Sequence, residues 1–129
     1  MKFSTKKELG GSGEEIASRW LAKKGYRIIE RNFSFRGNFR KGEIDIIAEK
    51  DKLITFFEVK TSISGGSDFF PEDKIDFRKQ KQVLKISQEW LIENNIPFDS
   101  SWQIDVITVR INKQTKKALI RHLKNAFGS

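Results

Sequence analysis

Apolar residues recur along the chain with two periods, and the switches between them mark out seven elements. Ile16, Ala17, Trp20 and Leu21 fall at helical spacing. Ser12, with Glu15 three residues on, forms a capping box ahead of them, and Gly25 stands where a left-handed stop belongs. A helix is predicted over about 13–24. β-branched and aromatic runs then predict strands over 26–33, 43–48 and 53–61. Lys50, Asp51 and Lys52 separate the last two, which predicts a tight hairpin. A second helix is predicted over about 77–94, with Asp76 as its N-cap and Val83, Ile86, Ser87, Trp90 and Leu91 on its inner face. Strands over 102–111 and 118–123 complete the chain. The order is α-β-β-β-α-β-β, an α/β fold. Polar loops fall over 34–41 and 62–73. Gly10-Gly11-Ser12-Gly13 reads as a flexible hinge, because no strand precedes it to make a phosphate loop.

Composition narrows the class. The 129 residues suffice for one domain with one core, and 37% are hydrophobic. The domain is expected to span 1–129, with a short flexible basic arm at about 1–11. Lys and Arg outnumber Asp and Glu by 25 to 17, for a net charge of +8, which favours a polyanionic partner. No cysteine is present, so disulfides and thiolate metal sites are excluded, in keeping with a cytoplasmic protein. No apolar run approaches the ~20 residues that span a bilayer, so no membrane role is expected.

The chemistry sits in the predicted hairpin. Side chains alternate along a strand, so Glu58 and Lys60 share a face. A two-residue loop at Asp51-Lys52 brings Asp45 directly opposite Glu58; one at Lys50-Asp51 keeps them on the same face, diagonally, and only an odd-length loop without a compensating bulge would separate them. Like charges facing each other on a sheet are destabilising. A hard divalent cation such as Mg²⁺, which takes carboxylate oxygens and keeps several waters, resolves the conflict. Lys60 can then orient or deprotonate a water and stabilise charge on a phosphate. An ion-pair network on a solvated face is the plain alternative. Glu14 lies at the edge of the first helix's inner face and can lean over the sheet; the helix dipole also accounts for an anion there. Lys79 lies one turn before Val83 on the inner face of the second helix, and either snorkels or points at a bound phosphate. Asp105 shares a strand face with Ile107, Val109 and Ile111 and needs a partner, expected to be a core-edge lysine or arginine. His122 is given no role. Arg36, Arg40 and Lys41, in the loop beside Glu43 and Asp45, are the candidates for contacts to a nucleic-acid backbone.

The blocks GEEIASRWLAKKGYRIIERN, GEIDIIA, FFEVKTS, IDFRKQKQVLKISQEWL and WQIDVITV follow one another from Gly13 to Val109. In this order they resemble the YraN family of bacterial proteins. The resemblance implies a restriction-endonuclease-like core of the PD-(D/E)xK type, a mixed five-stranded sheet flanked by helices, similar to archaeal Holliday-junction resolvases. It implies Glu14, Asp45, Glu58 and Lys60 as the metal and catalytic set, with Lys79 as an accessory basic residue and Mg²⁺ or Mn²⁺ as the ion. Asp105 matches a recurrent acid of that family. Two departures stand out: a longer loop between Asn32 and Gly42, and Ser62 where an arginine is common.

Two readings follow. One is a metal-dependent endonuclease acting on DNA, branched DNA included, with a homodimer as the arrangement that would cut both strands of a symmetric junction. The other is a nucleic-acid-binding protein of nuclease-like fold with little or no cleavage. The acidic trio discriminates between them, because carboxylates without a cation repel phosphate. A protein-interaction role is a weaker third reading, distinguished by salt-insensitive binding.

Overall fold

The computed structural model describes residues 6–34, 42–64 and 77–126. Along the chain run α1 (Lys6–Lys23), β1 (Arg27–Ser34), β2 (Glu43–Lys50), β3 (Leu53–Ser64), α2 (Phe77–Glu93), β4 (Trp102–Asn112) and β5 (Ala118–Leu123). This is the predicted order. The five strands form one sheet in the order β1-β2-β3-β4-β5. All neighbours are antiparallel except β3 and β4, which are parallel and joined through α2. No helix among the described residues is long and apolar enough to cross a membrane.

The two helices cover opposite faces of the sheet. Ala17 and Leu21 of α1 pack on Ile46, Ala48, Phe57, Ile107, Val109 and Ile111. Val83, Ile86, Trp90 and Leu91 of α2 pack on Phe33, Ile44, Ile47, Ile54, Phe56 and Ile104. Phe56 and Phe57 are both fully buried, one on each side of β3. Burial of such a side chain contributes roughly 1.5–3 kcal/mol. This makes β3 the strand around which both cores are built.

Local chemistry ends the helices where expected. Gly25 adopts φ 97°, Tyr26 N–H donates to Leu21 C=O and Gly25 N–H to Ala22 C=O, the paired bonds of a Schellman stop. Asn95, with φ 56°, does the same for α2, where Ile96 N–H donates to Leu91 C=O. Asp51 and Lys52 both have positive φ, 52° and 67°, which is the two-residue turn that suits a right-twisted hairpin. The N-cap expected at Asp76 lies outside the described residues.

The start of α1 departs from expectation. The helix begins at Lys6, so Ser12 is an interior residue and not an N-cap, and the segment read as an arm is helical from Lys6 onward. The glycines do not make a hinge. A Cβ on Gly13 would fall 1.8 Å from Thr61 Oγ1, so the missing side chain lets α1 approach β3 closely. Glycine weakens a helix by about 1 kcal/mol relative to alanine. Contact with the sheet offsets that here, and reading the glycines by helix propensity alone gives the wrong start.

Candidate metal and phosphate site

The site begins where two strands roll over. Phe33 and Ile44 face α2, whereas Arg31 and Ile46, two residues away on their strands, face α1. A regular strand returns to the same face after two residues. The β1–β2 register explains the reversal: it pairs Arg31 with Ile46 and Phe33 with Ile44 but skips Asn32 and Asp45. Asn32 holds φ 55°, a left-handed conformation that asparagine tolerates better than most residues. Asp45 therefore sits at a twist between the two faces.

The β2–β3 ladder ends at the same place. It runs from Lys50–Leu53 to Ile46–Phe57, so the next pair would be Asp45 and Glu58, as the two-residue loop predicts. There the strands part, and the Asp45 carboxylate takes the place of a backbone partner. Val59 N–H donates to Asp45 Oδ2 at 2.7 Å. One carboxylate oxygen each from Glu14, Glu43 and Asp45 lies within 4.8 Å of the others. Glu14 does lean over the sheet from α1. Glu43, two residues before Asp45, is not among the predicted site residues; acids at alternate positions of one strand were the available signal.

Glu58 and Lys60 occupy the α2 side. Glu58 is 5% exposed. Lys79 Nζ, from α2, lies 2.5 Å from Glu58 Oε1, and Lys60 Nζ lies 3.7 Å from it. The contact is an ion pair, and among the described residues no hydrogen bond reaches buried Oε2. Lys79 thus reaches Glu58 from α2 with its side chain half-exposed. Glu58 falls outside the group formed by Glu14, Glu43 and Asp45. The predicted set is split into two neighbouring halves, with Asp45 between them.

The electrostatics reflect crowded acids. Burial pushes the Asp45 carboxyl up to about 8; the Val59 N–H opposes this, and the charges of Glu14, Glu43 and Glu58 add to it. Burial also raises Glu14, with Glu43 adding, while a hydrogen bond with Asp45 and the charge of Arg31 act the other way. Burial works to lower the Lys79 ammonium, but Glu58 outweighs it and the net shift is upward. Four carboxylates here stand against the ammonium groups of Lys60 and Lys79.

These residues fit a hard divalent cation. Their donors are all oxygens, and an ion bound at about 2.0–2.6 Å from each can be shared by oxygens this close. The orphaned Glu58 Oε2 and the upward shift of Asp45 both mark a place short of positive charge.

The other candidates separate cleanly. Arg36, Arg40 and Lys41 lie outside the described residues. Asp105 is fully buried, but its partner is neither lysine nor arginine. Its Oδ2 lies 2.7 Å from His122 Nε2, and its Oδ1 accepts from Gln103 Nε2 and Asn125 N–H, both at 2.8 Å. His122 therefore has a role after all: its ring packs against Trp20, Tyr26 and Phe57 and closes β5 onto the α1 core. The β4–β5 register, which pairs Ile107 with His122, puts the two on one face. The strand pattern carries that register, but the expectation of a charged partner for Asp105 hides the pairing.

Comparison with known proteins agrees on one family. The model of the uncharacterised protein family UPF0102 matches residues 13–109. A UPF0102 protein of Alkaliphilus oremlandii is 37% identical over 121 residues, covering 94% of this chain and 98% of the relative. One of Caldanaerobacter subterraneus subsp. tengcongensis is 39% identical over 129 residues, covering 98% of this chain and 100% of the relative. One of Clostridium botulinum is 39% identical over 121 residues, covering 94% of each. With the family match spanning most of the sequence and these relatives aligned nearly end to end, the chain belongs to UPF0102, the YraN family.

Proposed function

We propose that this protein is a metal-dependent endonuclease that hydrolyses phosphodiester bonds in DNA. The observation that carries the reading is the placement of Asp45. Its carboxylate is fixed by Val59 N–H in the gap between β2 and β3, beside Glu14 and Glu43, with buried Glu58 across the gap. Asp45, Glu14, Glu43 and Glu58 would hold Mg²⁺ or Mn²⁺. The ion would polarise a phosphate oxygen and lower the pKa of a bound water.

The chain's own residues supply the rest. The Val59 N–H keeps Asp45 from turning away, so the donor set is organised before any ligand arrives. Lys60 stands on the same strand face as Glu58, two residues on, where its ammonium can neutralise charge on a phosphate or donate a hydrogen bond that orients a water. Lys79 neutralises Glu58 in the free protein. Its half-exposed side chain can swing to a phosphate and release Oε1.

A binding module of the same fold is the second reading. The four carboxylates weigh against it, because they repel a phosphate backbone unless a cation lies between. Cleavage of labelled single-stranded, duplex, flapped and four-way-junction DNA tests the choice, with Mg²⁺, Mn²⁺ or EDTA. Cutting that needs the metal and disappears in Asp45→Asn is the expected result. Binding without cutting under every metal would sink the endonuclease reading for these substrates.

A further inference from the structure

β5 is an edge strand, and one face of it is open. In β4, Val109 and Ile111 point into the α1 core, so Arg110 between them faces the α2 side, with Ile104, Val106 and Thr108. In β5, Ile120 and His122 lie against the α1 side, so Leu119 and Arg121 also face the α2 side. Yet α2 does not cover this corner: Leu119 is 53% exposed, and Arg121 is exposed as well.

The registers set these residues in rows that lead away from the candidate site. Lys60, Thr108 and Arg121 form one row across β3, β4 and β5, and Ser62, Arg110 and Leu119 form the next. With strands ~4.8 Å apart and ~3.3 Å per residue, Arg121 lies about 10 Å from Lys60 along the sheet, and Arg110 about 8 Å. One DNA strand carries a phosphate every ~3.4 Å of axis, so such a path meets several. No acid among the described residues of β4 and β5 faces this side, because Asp105 points the other way, to His122. The hydroxyls of Thr108 and Ser62 in these rows are buried and have no hydrogen-bond partner among the described residues, so they offer no surface contact and the arginines must supply it.

We propose that this face of β4 and β5 is a phosphate track: Arg110 and Arg121 hold the backbone of a DNA strand that leaves the Glu58–Lys60 site across the sheet. The proposal rests on the nucleic-acid reading above and adds the side of the sheet by which the strand leaves.

The test is binding of a labelled DNA duplex, followed by anisotropy through a salt series in EDTA, where nothing can be cut. Arg110→Gln with Arg121→Gln should weaken binding tenfold or more. It should also flatten the plot of log K against log salt by about 2, at ~0.9 for each phosphate no longer neutralised. Lysine at both positions should restore most of the slope. Because the arginines have structural contacts of their own, Leu119→Lys serves as a gain-of-charge variant at an exposed position. It should tighten binding and steepen the slope by about 1. Unchanged slopes in the glutamine and Leu119→Lys variants would overturn the track. If the wild type still cut DNA in Mg²⁺, the nuclease reading would survive that result. Shifted slopes in a protein that never cuts would keep the track and remove the nuclease.

Discussion

Replacing Asp45 with asparagine should make the metal-free protein more stable at neutral and alkaline pH. Burial raises the Asp45 carboxyl from 3.8 to about 8 in the fold. Between those values the folded state keeps a proton that the unfolded chain has released, so stability is lost as pH rises across the window. At 1.36 kcal/mol per pH unit, the loss by pH 7 is on the order of 4 kcal/mol if Asp45 alone carries it. Glu14 shares the site and part of the titration, so about 2–4 kcal/mol is the expected gain on removing the charge. Asparagine keeps an oxygen for the Val59 N–H, so little is lost in exchange. For a chain of this length, ~1 kcal/mol moves Tm by about 4 °C, which puts the variant roughly 8–15 °C above the wild type. Thermal unfolding in EDTA at pH 5 and pH 8 measures this, and the gap should widen with pH. Saturating Mg²⁺ should then raise the wild type and leave the variant in place. Parallel pH profiles, or a variant less stable than the wild type at pH 8 in EDTA, would refute the reasoning.

Three further predictions concern the frame of the site. Asn32→Val forces a β-branched residue into a left-handed conformation, at about 1–3 kcal/mol, and should abolish Mn²⁺ binding in a calorimetric titration; Asn32→Gly should preserve binding. Gly13→Ala should destabilise by about 2–3 kcal/mol in urea unfolding, although helix propensity alone predicts a gain of ~1 kcal/mol, because the new Cβ meets Thr61. His122→Ala should lower stability by about 2–4 kcal/mol in the same assay, since it strips one partner from fully buried Asp105 and empties a place among three aromatic rings.

Much of this architecture could be read from local pattern. The apolar runs give the seven elements, and a turn whose two residues both accept positive φ sets the register that brings Asp45 to Glu58. What alternation could not foresee is its own interruption. A rule of period two assigns Ile44 and Ile46 to one face, and the break at left-handed Asn32, where the register skips Asn32 and Asp45, reverses them. Gly13 misleads because the residue it spares, Thr61, is distant in sequence. Asp105 asks for a charge by local rules, when the structure offers an imidazole from the neighbouring strand. In each case a contact between distant segments overrides a local preference.

The bond from Val59 to Asp45 has a use beyond holding a side chain still. Most amides of a central strand donate to another backbone, and their resonances report only whether the sheet is intact. The Val59 amide donates to a titrating carboxylate instead. Its nitrogen and proton shifts should follow the charge on Asp45, moving through the same midpoint in a pH titration and moving again when a cation takes the oxygen. A single ¹⁵N-labelled valine would therefore act as an internal gauge of whether the site is protonated, bare or filled, in a protein whose turnover need not be measured at all.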